Sequence, residues 1–100
     1  DPVQEIPFNK SVIIQVNPDI STIEVQFRGG FGQNMIKTLQ VTRTGPDGSK
    51  ETMDLGHSIG DEINFKATNN CMDRVYADVS FIDGTMYHFY DEVIHISRMI

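Results

Sequence analysis

The sequence has no tryptophan, a single cysteine at Cys71 and no segment in which lysine and arginine cluster. Each absence excludes something. One cysteine allows neither an intrachain disulfide nor a zinc site built from several thiolates. Cys71 is expected to be a half-buried, inert thiol, with an intermolecular bridge as the other reading. Without tryptophan or a cysteine pair, the core hallmark of antibody domains is missing, so any likeness to them is one of architecture. Lys10, Arg28, Lys37, Arg43, Lys50, Lys66, Arg74 and Arg98 are scattered through a chain of net charge −6. No basic stripe can therefore release counterions from phosphates, and nucleic acid is not an expected partner. Anionic membrane surfaces would repel the chain too. Apolar runs stay as short as Val12-Ile13-Ile14, and nothing in the given sequence reads as a signal peptide or a membrane span.

What is present is alternation. Ile23, Val25 and Phe27 are interleaved with Thr22, Glu24, Gln26 and Arg28; Ile63 and Phe65 with Glu62, Asn64 and Lys66; Val75, Ala77, Val79 and Phe81 with Tyr76, Asp78 and Ser80. This period of two marks strands with one buried face, and a slip by one residue would turn the apolar set to water. Asn17-Pro18-Asp19, Gly29-Gly30 with Gly32, Gly45-Pro46-Asp47-Gly48, Gly56, Gly60 and Asp83-Gly84 separate the runs. Asp83-Gly84 reads as a tight hairpin turn. Seven or eight strands follow, at about 11–17, 20–28, 36–44, 49–55, 61–67, 73–82, 85–90 and 92–97. The expected fold is all-β, an immunoglobulin-like antiparallel β-sandwich. One hundred residues suffice for a single core. Residues 1–10, with Pro2 and Pro7, read as a lead-in packed loosely on the sandwich or tethering it upstream, and 11–100 as the domain.

The search for chemistry yields little. His57, His88 and His95 have no ligand partner at a metal-like spacing, although His88 and His95 could meet across a hairpin. No nucleophile elbow or catalytic cysteine context occurs, so no catalytic residue, no metal ligand and no cofactor-binding residue is assigned. Gly29-Gly30-x-Gly32 follows a strand but opens no helix, which favours a turn or bulge over a phosphate loop. Asp47, Asp61, Asp73, Asp83 and Asp91 read as turn formers rather than a calcium site. Tyr76, Tyr87 and Tyr90, with Met86 and Met99, could make an adhesive face; Tyr76 and Met86 read more simply as cross-strand partners. Asn9-Lys10-Ser11 is an acceptor sequon, which makes Asn9 the candidate glycosylation site.

The order of features also carries a resemblance. After Gly29-Gly30 come Ile36-x-x-Leu39-x-Val41-x-Arg43, then Glu51-Thr52-Met53-Asp54-Leu55 and Ile59-Gly60-Asp61-Glu62-Ile63. The run Asp73-Arg74-Val75-Tyr76-Ala77-Asp78-Val79-Ser80-Phe81, then Asp83-Gly84-Thr85 and Asp91-x-Val93, complete it. This resembles the C-terminal β-domain of archaeal type IV pilins and pilin-like proteins over residues 20–94. The resemblance implies a non-enzymatic, extracellular surface subunit, the exposed head of a filament, involved in adhesion. It would be anchored in the membrane and self-associate through an N-terminal helix that this chain lacks. Asp1 to Phe8 would then be the stub of that helix. A carbohydrate- or calcium-binding sandwich module of a secreted protein is the alternative, and it predicts a concave face carrying exposed aromatics.

Overall fold

The computed structural model describes residues 3–19, 22–66 and 72–95. Seven strands run in order: β1 (Ile13–Pro18), β2 (Thr22–Gly29), β3 (Ile36–Thr44), β4 (Lys50–Asp54), β5 (Glu62–Lys66), β6 (Met72–Phe81) and β7 (Met86–His95). They form two antiparallel sheets, one ordered β1-β2-β5 and the other β4-β3-β6-β7. The fold is an all-β sandwich of the expected immunoglobulin-like architecture.

The alternation read from the sequence sets the layers. Ile23, Val25 and Phe27 of β2 and Phe65 of β5 face Leu39 and Val41 of β3 and Val75, Ala77, Val79 and Phe81 of β6, all buried. Each of these side chains larger than Ala77 stabilises the fold by roughly 1.5–3 kcal/mol when taken out of water. Leu55, Val12 and Ile36 close the ends of this core, with Ile14, Val16 and Ile63 packed against it. The intervening residues of the four-stranded sheet point outward, and there Thr42 bonds Thr52 across β3 and β4 at 2.9 Å.

Two hairpins share one device. Gly45 N–H donates to the Ser49 carbonyl at 2.9 Å, and Phe81 N–H to the Thr85 carbonyl at 2.9 Å, each closing a loop around an Asp-Gly pair. Asp47 Oδ1 accepts from both Ser49 N–H and Ser49 hydroxyl (3.0 and 2.7 Å), and Asp83 Oδ1 from Thr85 N–H and hydroxyl (3.0 and 2.6 Å). An aspartate that satisfies its own turn fixes the loop locally. Ile82 belongs to this loop rather than to the strand, so the turn is one residue longer than a bare Asp83-Gly84 hairpin.

The last two expected strands are one. In β7, His88 lies opposite Asp78 and Tyr90 opposite Ala77, which leaves Phe89 as an extra residue. This β-bulge bends the strand and reverses its alternation beyond that point. The charged pair Asp91-Glu92 resembles a break in the sequence but sits inside the strand.

The lead-in is fixed, not loose. Gln4 N–H donates to the His88 carbonyl at 2.7 Å, while Gln4 Oε1 accepts from His88 N–H at 2.9 Å, covering part of the β7 edge. Ile6 packs against the core. The Lys10 ammonium pairs with Asp83, bonds the Thr85 hydroxyl at 3.3 Å and lies over the Phe81 ring. Gly32 N–H reaches the Ser11 carbonyl at 2.9 Å and Phe31 N–H the Ser11 hydroxyl at 3.1 Å.

Candidate functional site

Three places merit attention: a charged cluster on the outer face of β6 and β7, an apolar groove at one end of the sandwich, and the loop that grips the lead-in.

The cluster is built by the bulge. In a regular strand, residues three apart lie on opposite faces. The extra Phe89 turns both His88 and Asp91 outward, and His88 Nε2 sits 2.9 Å from Asp91 Oδ2. Its other ring nitrogen, Nδ1, lies 2.8 Å from Asp78 Oδ1. Asp91 in turn receives Arg74 through two bonds, Nε at 2.8 Å and Nη2 at 2.5 Å. Arg74 covers the Tyr76 ring, which leans on the His88 imidazole. Carboxylates at both ring nitrogens require both to carry protons, so the imidazolium is the matching state. Burial works against that charge, but the bonds to Asp91 and Asp78 outweigh it and raise the His88 pKa above its ordinary 6.5. The Arg74 fork, with His88, holds the Asp91 carboxyl well below the usual carboxylate range.

A pH dependence follows. The folded state binds the His88 proton more tightly than the unfolded chain, so this stabilisation is complete below pH 6.5 and is lost as pH rises through the raised value. Asp91 acts at the opposite end, its contribution disappearing only in strong acid. The melting temperature should therefore fall as pH rises above 6.5. The His88→Asn variant should flatten that slope, and thermal melts of the two proteins across this range check it.

This cluster contains no Ser, Cys or Lys, and both imidazole nitrogens and both Asp91 oxygens are engaged. Among the described residues, no group of three or more His, Cys, Asp or Glu is placed to hold a metal. His88 and His95 do not face each other across a hairpin, because both lie on β7, with His95 opposite Met72. The His57 carbonyl accepts from Gln33 Nε2 at 3.1 Å. Asp47 and Asp83 fix their own turns, and Asp61 accepts from Ser58 N–H at 3.2 Å. Asp73 is not in a loop at all. It is buried at the start of β6, facing Arg43 Nη2 at 3.4 Å.

The tyrosines do not form a shared face. Tyr87 and Tyr90 are partly buried, Tyr87 meeting Phe81 edge-on with ring centroids 5.9 Å apart. Tyr76 stands opposite Asp91 and Met86 opposite Ser80, so Tyr76 and Met86 are not partners. The exposed aromatics are phenylalanines instead. Phe8 and Phe31 stack at 4.8 Å, 78% and 68% exposed, beside Ile13 and Ile59. With Ser11, Gly30 and Gln33 they line an open groove of about 560 Å³. Contiguous apolar side chains left open to water make this groove a candidate interaction surface. Nothing in the spacing of these four residues announces it, since they come from four separate segments.

Gly29 and Gly30 have φ of +100° and +128°, and no helix of more than one turn follows them. The glycine loop receives the lead-in backbone. Asn9 is exposed in the short turn Phe8–Lys10 next to the groove, open to modification. Cys71, Met99 and the first two residues lie outside the described residues, and no helix among the described residues is long and apolar enough to cross a membrane. Comparison of the chain with protein-family models, curated proteins and solved structures finds no match.

Proposed function

We propose that this domain is a non-enzymatic surface subunit, the exposed head of an archaeal type IV pilin-like protein, held outside the cell by a segment preceding Asp1. The observation that supports this reading is the way the lead-in is fastened. Gln4 pairs with β7, Lys10 with the β6–β7 hairpin, and Ser11 with the glycine loop. A head pulled through its N-terminus needs that force spread over several elements, and ties to the four-stranded sheet and to the loop between β2 and β3 do so. The charged outer faces keep such a head soluble, and its engaged histidine and aspartates suit rigidity more than turnover.

The sequence upstream of Asp1 in the full-length gene is the test. About twenty consecutive apolar residues after a short basic leader are expected there. A gene that encodes no such stretch sinks the filament reading.

A further inference from the structure

A β-sandwich with two open sheets has four edge strands, and each is a template for another chain unless it is guarded. Among the described residues three of the four are guarded by charged side chains. Edge β4 carries Lys50, Glu51 and Asp54; β5 carries Glu62 and Lys66; β7 carries Asp91 and Glu92 and is partly covered by Gln4. Edge β1, Ile-Ile-Gln-Val-Asn-Pro, has no charge from end to end; Pro18 closes one end and a register shift between Ile13 and Ile14 the other, which leaves Ile14 to Asn17 as the open stretch. It is rich in β-branched residues, and its first residue, Ile13, belongs to the exposed groove with Phe8 and Phe31. In a chain of net charge −6, this is the edge at which a second, equally acidic copy can approach without meeting like charges along the strand.

The main-chain geometry fixes how. Phe27 N–H donates to the Asp61 carbonyl at 2.8 Å and the Phe27 carbonyl accepts from Gly60 at 3.0 Å, so Phe27 turns its backbone groups toward the β5 side. Its β1 neighbour Ile14 is therefore a non-hydrogen-bonded partner, as is Val16 opposite Val25. Their N–H and C=O groups point to the open edge.

We propose that β1 is a strand-pairing surface for a second copy of this chain, joining two three-stranded sheets into one continuous sheet about a twofold axis. Antiparallel pairing that uses the outward groups of both residues sets Ile14 against the partner's Val16, and the reciprocal pair alike. Gln15 then falls on the axis and faces the partner's Gln15 on the outer surface, where its side chain is exposed. Main-chain hydrogen bonds supply the pairing, and the groove beginning at Ile13 extends the contact. This inference rests on the strand edges alone and stands independently of the filament reading.

The register makes the test specific. Light scattering on the chromatographed 100-residue chain, at up to about millimolar concentration, should give twice its 11.3 kDa mass. Gln15→Lys and Gln15→Glu each place like charges face to face on the axis and should weaken pairing at least about tenfold. Mixing the two variants sets Lys against Glu and should restore the dimer. A wild-type chain that stays monomeric, variants that dimerise like the wild type, or a mixture that fails to recover would each overturn the proposal.

Discussion

Gly30→Ala should destabilise the domain by about 3–4 kcal/mol, a large part of a typical total of about 5–15. Two effects combine. Gly30 has φ of +128°, a conformation that a residue with a side chain adopts only under strain. A Cβ built there would also lie 2.2 Å from the Ser11 carbonyl oxygen, and backbone cannot yield as a flexible side chain does. Gly32→Ala separates these causes. Its φ of −84° is ordinary, but a Cβ would lie 2.3 Å from the Lys10 carbonyl oxygen. It should cost less, about 2 kcal/mol, and act mainly by pushing the lead-in off the sandwich. Urea unfolding gives the total loss, and hydrogen exchange at the Gly32 and Gln4 amides reads the loosening. Gly48→Ala is the control, because its Cβ would meet nothing and only its φ of +86° is at stake.

Asp73→Ala should cost about 3–5 kcal/mol. The Asp73 side chain is fully buried, and Arg43, 15% exposed, faces it across the β3–β6 ladder. Removing the carboxylate takes the nearest buried countercharge from a largely desolvated guanidinium, on which Asp47 also acts from the β3–β4 turn. Desolvation of both ions nearly cancels their attraction, so the loss measures the exposed mismatch rather than the worth of the pair. The double variant Arg43→Met, Asp73→Leu should therefore recover most of the stability. Chemical unfolding of both single variants and the double completes the cycle. Recovery no better than the sum of the single losses would show that further partners of these two side chains matter more than the pair.

Much of the fold was legible without coordinates. Ile23, Val25 and Phe27, and Val75 to Phe81, alternate because a strand buries every second residue. That constraint is local, so it appears in the order of the chain. The Asp47-Gly48-Ser49 and Asp83-Gly84-Thr85 turns were equally readable, since an aspartate two residues before a hydroxyl closes its own loop.

The groups with the most to say about function were not local. His88 and Asp91, three apart in a strand, belong on opposite faces until the Phe89 bulge brings them together, and a bulge is set by how β6 and β7 pair. Asp73 looked like one of several loop aspartates because its burial depends on Arg43, thirty residues away in the chain. Phe8, Ile13, Phe31 and Ile59 form one groove only when the lead-in, β1 and two loops are assembled. The sequence by itself determined most of the strands, the buried faces of β2, β5 and β6, and the absence of charge along β1. Only the tertiary structure decided that β1 is an edge, that the glycine loop grips the lead-in, and which charges meet. Strand identity follows from near-neighbour pattern and backbone sterics, whereas sheet order and register arise from contacts between residues far apart in the chain.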